Sequence, residues 1–97
     1  MGDKSMKKNT RLNKGPLCGS QIRAARSLLK WTAEDLARES ALGVNTIRRA
    51  EAAEHETQLT AANDLAVRRA LEAAGIEFID DNGGGEGVRF RKSRRRK

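Results

Sequence analysis

Cysteine is almost absent from this 97-residue chain: Cys18 stands alone, so no intrachain disulfide can form, and the expectation is a protein of a reducing, cytoplasmic compartment. With a single histidine, His55, to add to that cysteine, a structural zinc shell cannot be assembled, and no metal or other cofactor is expected. No apolar run approaches the ~20 residues of a membrane span, and the basic N-terminus has no apolar stretch behind it to read as a secretion signal. Aromatics are scarce as well. Only Trp31, Phe78 and Phe90 are present, so the core has to be built from Ala, Leu, Ile and Val; it will be thin, and a second copy of the chain is the expected supplement.

What is abundant is charge, at 34% of residues against 37% hydrophobic, which leaves material for one small core. The net +7 is unevenly spread. Lys4, Lys7, Lys8, Arg11 and Lys14 outweigh Asp3 in the first eighteen residues, and Arg89, Arg91, Lys92, Arg94, Arg95, Arg96 and Lys97 meet no acid in the last nine, so the stretch between is acidic. The basic character therefore belongs to the ends. A polyanion such as nucleic acid is the partner that such ends fit, with Lys14, Arg94, Arg95 and Arg96 as candidate phosphate contacts.

Residues 1–18 show no apolar period and read as a basic arm closing at Gly15-Pro16. From there Ser20 is expected to cap a helix that buries Ile22, Ala25 and Leu29, with Trp31 closing the junction. Thr32 can cap a second helix whose buried side is Leu36 and Ala37, and residues 40–43 break it. Gly43 then caps a third over about 44–54, in which Ile47, Ala50 and Glu51 fall at i, i+3 and i+4 and face inward. Asn45, Arg48, Arg49 and Ala52 consequently face outward. Residues 53–58 read as a polar loop, followed by Leu59 as staple and Thr60 as cap for a helix over 61–74 with an apolar face of Leu65, Ala70, Leu71 and Ala74, from which Arg68 and Arg69 point mainly away; Gly75 stops it. Ile76 to Ile79 and Val88 to Arg91 alternate as two strands, with Ile76, Phe78, Val88 and Phe90 on one side. The glycine-rich stretch between them runs from strand to strand, so it reads as a hairpin turn and not as a phosphate cradle.

Two short helices joined by a tight turn, the second bearing Asn45, Arg48 and Arg49 near its start, are the layout of a helix that reads the major groove. Across residues 20–75 the chain resembles the XRE-type, phage-repressor-like helix-turn-helix family, through Ile22, Arg26, Leu29, Ala37, Leu42, Ile47, the run Arg48-Arg49-Ala50-Glu51, Leu65 and Leu71. It differs in having Ala41 where the family often has Gly and Ala33 where it often has Gln. The resemblance implies a mainly α fold with a lambda-repressor-like domain of four to five helices over 19–75, to which the alternation and charge read above add a C-terminal β-hairpin at 76–91 and a basic tail at 92–97. It also implies a homodimer on an inverted repeat of double-stranded DNA, of the kind used by small regulators of phages, mobile elements and bacterial operons. Arg26 and Glu51 hold the positions at which that family pairs an Arg with a Glu, and their inward placement makes them a structural ion pair.

Val44, Asn45, Arg48 and Arg49 are accordingly the candidates for base contacts, Asn being suited to adenine, Arg to guanine and Val to a thymine methyl. Thr32 and Thr46 are candidates for phosphate. Ile76, Phe78, Val88 and Phe90 form an apolar face offered to a second subunit. Glu34, Asp35 and Glu39 read as the solvated side of the second helix and His55 as exposed, so no catalytic residues are assigned and no enzyme is expected. The leading function is a small dimeric repressor acting by promoter occlusion. The competing readings are a protein-binding module such as an antitoxin or antiactivator, and an RNA-binding protein, the latter weakened by the shortage of aromatic platforms.

Overall fold

A computed structural model describes residues 16–81 and 83–91. Four helices and two strands follow in order: α1 Gly19–Leu29, α2 Ala33–Ser40, α3 Val44–Ala52, α4 Ala61–Ala73, β1 Ile76–Ile79 and β2 Gly87–Phe90. Among the described residues no helix is long and apolar enough to cross a membrane. The chain is mainly helical, with one antiparallel hairpin that pairs Ile76 with Phe90 and Phe78 with Val88.

Caps account for most of the boundaries. The Thr32 hydroxyl accepts from the Asp35 N–H at 3.0 Å while the Asp35 carboxylate accepts from the Thr32 N–H at 2.8 Å, a reciprocal capping box that starts α2. Thr60 caps α4 in the same sense, accepting from the Asn63 N–H at 3.1 Å. Helices α1 and α2 end alike. Lys30 and Ala41 both adopt the left-handed conformation (φ 61° and 63°), and the next residue reaches back five positions, Trp31 N–H to Arg26 C=O at 2.9 Å and Leu42 N–H to Ala37 C=O at 3.0 Å. Trp31 and Leu42 then lie against the core, the hydrophobic contact that accompanies this ending. The turn between α2 and α3 is thus made without glycine at its strained position.

The first helix starts earlier than its sequence implies. Cys18, not Ser20, is its cap residue, and Leu17 ahead of it is fully buried, its N–H donating to Asp64 at 3.0 Å. The arm assigned to 1–18 therefore gives up its last two residues to the fold, and Lys14 and residues 92–97 lie outside the described residues. Gly19 sits where α1 meets the end of α3 backbone to backbone: a Cβ there would lie 2.1 Å from the Ala53 carbonyl oxygen. The stretch at 53–58 is not simply a polar loop, because Thr57 is buried, Cys18 pairs with Glu56 as a β-bridge and the Gly19 N–H donates to the His55 carbonyl at 3.0 Å.

The core joins Leu17, Ile22, Leu36, Ile47, Val67, Leu71 and Ile76, all fully buried. Leu65 is not among them; it is 43% exposed, and Val67, two residues or about 200° further around α4, faces inward with Leu71. Arg68 is half-buried with its guanidinium 5.2 Å from the centre of the Phe78 ring, so it covers the apolar layer instead of pointing away from it.

The hairpin departs most from expectation. Its apolar face is covered by α1 and α4 of the same chain: Ile76 and Phe78 are buried, Val88 is half-buried against the core, and only Phe90, 51% exposed, reaches beyond the cover. A two-stranded sheet is marginal alone, and here the helices supply the missing layer. Ile76 and Phe78 are thereby withdrawn from the dimer face, and a charge at Phe78 would strike this chain's own core.

Two substitutions test this account by urea denaturation. Gly19→Ala is expected to destabilise by about 3 kcal/mol or more, because backbone carbonyls cannot move aside as a side chain can. Ala41→Gly is expected to stabilise by ~0.5–1 kcal/mol, the left-handed penalty of an L-residue less the extra unfolded-state entropy of glycine. A loss of stability at Ala41→Gly would mean the turn is not strained.

Candidate functional site

The side chains singled out in the sequence meet on α3 and its surroundings. With no side-chain cap at Gly43, α3 is held by its inward residues, Ile47 and Ala50 fully buried and Glu51 nearly so. Glu51 is gripped from α1. Arg26 forms a two-point ion pair with it, Nε to Oε2 at 2.6 Å and Nη2 to Oε1 at 2.8 Å, and Arg26 Nη1 also donates to the Trp31 carbonyl at 2.9 Å. The Arg23 guanidinium donates to the Glu51 carbonyl. The hydrogen bonds to the Glu51 carboxylate push the Arg26 pKa above its ordinary value, ahead of an opposing effect of burial. One acid thus fixes the rotation of α3 about its own axis, with Arg26 tying it to both α1 and the α1–α2 corner.

Given that rotation, Asn45, Arg48 and Arg49 are exposed on the outer side of α3. Val44 is half-buried and packs against the core, which leaves it less free to reach outward. The two adjacent arginines are not equivalent. Arg48 Nη2 donates to Glu34 Oε2 of α2 at 2.7 Å, both side chains more than half exposed, whereas Arg49 makes no ion pair among the described residues. Arg49 borders an open cavity of about 270 Å³ with Thr46, Thr57, Gln58, Leu59 and Thr60, between α3 and the start of α4. Thr46 is half-buried on that wall.

Thr32 is engaged as the α2 cap, and the Asp35 carboxylate already takes its N–H. Asp35 sits below its ordinary pKa, first because of that backbone hydrogen bond and then because Arg38 donates to it at 2.8 Å. An internal anion therefore occupies the place offered to a phosphate at Thr32. The glycine-rich turn is filled in a similar way, since Asp81 Oδ1 accepts from the N–H groups of Gly83 and Gly85, both at 3.0 Å.

Several residues that hold the site gave no sign of it in sequence. Gln21 is buried, accepts from the Cys18 N–H at 3.0 Å and donates to the Gly87 carbonyl at 3.1 Å, joining α1 to β2. The Cys18 thiol donates to Glu86 at 2.8 Å, and burial, then that bond, push its pKa up to about 11, so it stays protonated at neutral pH. Gly19 did carry a sign: a glycine in the first turn of a helix costs stability unless another backbone needs the space. Among the described residues no group of three or more His, Cys, Asp and Glu side chains could hold a metal ion.

Neither protein-family models nor curated proteins give a match to this chain.

Removing one partner of the clamp tests its role. Glu51→Gln is expected to destabilise by about 3 kcal/mol, because the half-buried Arg26 would lose its counter-charge. The thermal unfolding midpoint should fall clearly, and an unchanged midpoint would show that packing alone orients α3.

Proposed function

We propose that this chain is a sequence-specific regulator that binds double-stranded DNA, with α2 and α3 as the two helices of a helix-turn-helix of the XRE-type, phage-repressor-like class and α3 as the helix that enters the major groove. The observation that carries the reading is the rotational lock on α3: with Glu51 gripped by Arg26 and Ile47 and Ala50 buried, Asn45, Arg48 and Arg49 stand together on the outer face. Amide and guanidinium groups near the start of a helix are the donors that suit adenine and guanine edges. The folded middle of the chain is acidic, so such local cations and the basic ends together would supply the attraction to phosphate.

The mechanism is occlusion: a protein bound at a promoter excludes polymerase, and the described residues are occupied by the helical core and the hairpin. A homodimer on an inverted repeat fits this reading, with its two α3 helices about 34 Å apart on one face of the duplex. After the withdrawal of Ile76 and Phe78 into the core, the large apolar side chains left exposed among the described residues are Phe90, at 51%, Leu65, at 43%, and Leu28, at 38%. The same residues support the second reading, in which a partner protein of the kind an antitoxin or antiactivator binds would occupy that surface.

Arg49→Ala is expected to cost about 1–3 kcal/mol on a site selected from random duplexes and to relax preference at one base pair, measured by gel shift with random-sequence competitor. Equal losses on selected and random DNA would refute base reading by Arg49.

A further inference from the structure

We infer that Glu34 is a specificity-determining residue of the α3 face, acting by holding Arg48 away from phosphate; the inference rests on the DNA-binding reading above. Glu34 stands in the first turn of α2, fourteen residues before Arg48, and their 2.7 Å ion pair bridges two helices across the outer surface of the site. Nothing in the packing requires this pair. Both side chains are more than half exposed, at 55% for Arg48 and 59% for Glu34, and a pair in that setting adds little to folding stability. What it changes is the charge that the surface presents.

An unpaired arginine beside a DNA groove has two kinds of partner. It can meet a phosphate, which attracts it at every sequence alike, or it can meet the neutral O6 and N7 acceptors of a guanine, which occur only at particular positions. A carboxylate bound to the guanidinium treats the two differently. A phosphate approaching Arg48 must either displace Glu34 or lie beside its negative charge, and both cost free energy. A guanine edge carries no charge, and the five N–H donors of an arginine leave several for it while one stays on Glu34. The pair therefore subtracts sequence-independent affinity and spares base recognition, which raises the ratio between them. Arg49, which makes no ion pair among the described residues, is under no such restraint. Two neighbouring arginines thereby acquire different tasks.

The test compares the full-length wild type, Glu34→Gln, Arg48→Ala and the double variant, titrating each by fluorescence anisotropy against a duplex selected from random sequence and against a random duplex, from 50 to 200 mM KCl. Glu34→Gln should bind random DNA more tightly and show a salt slope steeper by about one, equivalent to roughly threefold more affinity lost over that salt range. Its preference for the selected duplex should fall by a similar factor. In the Arg48→Ala background the Glu34→Gln change should have no effect, since the arginine it releases is gone. Thermal unfolding of Glu34→Gln should match the wild type.

Unchanged slope and preference in Glu34→Gln, with a wild type that does bind DNA, would overturn this inference and leave the proposed function standing. So would an effect of Glu34→Gln that persists without Arg48, which would mark plain relief of repulsion by the carboxylate. A lowered unfolding midpoint with unaltered binding would make the pair a structural tie between α2 and α3. A wild type that binds neither duplex would overturn both readings together.

Discussion

The crossing of α1 over the end of α3 is the constraint on which the rest of the structure depends. It combines a contact that only glycine permits, Gly19 against the Ala53 and Ala50 carbonyls, with a charged clamp, Arg26 and Arg23 on Glu51. The close approach brings the helices near enough for the short, doubly bonded ion pair. The ion pair in turn sets which residues of α3 face out. A carboxylate this buried would be costly alone, so the clamp also penalises any other rotation of α3, in which Glu51 would lose its partner and an apolar side chain would meet water. The outer face bearing Asn45, Arg48 and Arg49 is in this sense a consequence of the inner one.

The same crossing reaches the far end of the chain. Leu17 and Cys18 are drawn into the fold ahead of α1, and from there Gln21 and Cys18 make hydrogen bonds to Gly87 and Glu86 at the start of β2. Helix α1 therefore touches both α3 and the hairpin. The hairpin, too small to be stable as a free unit, becomes a lid on the helical core, with Ile76 and Phe78 underneath and Arg68 laid over the Phe78 ring. A thin aliphatic core thus gains an extra layer from within the chain, which lessens the need for a partner subunit to provide it.

Charge is arranged on the same plan. Acidic side chains are tied to nearby donors: Asp35 to the α2 cap and Arg38, Asp81 to the turn amides, Glu77 to Arg89 across the strands, Glu34 to Arg48. Each of these bonds blunts a negative charge, and those involving Arg38, Arg89 and Arg48 also blunt a positive one.

Features governed by neighbours three or four residues apart were legible in the sequence. Thr32 and Thr60 as caps, the inward trio Ile47, Ala50 and Glu51, and the alternation that puts Ile76, Phe78, Val88 and Phe90 on one face all follow from helix and strand periodicity, which any short window contains. Tertiary structure alone decided what each face meets. The choice of Val67 over Leu65, the recruitment of Leu17, the covering of the hairpin by its own helices and the pairing of Glu34 with Arg48 join residues far apart in sequence or weigh two local faces against each other. Such outcomes turn on which surfaces are left to be buried once the helices cross, and short-range sequence patterns carry no record of that.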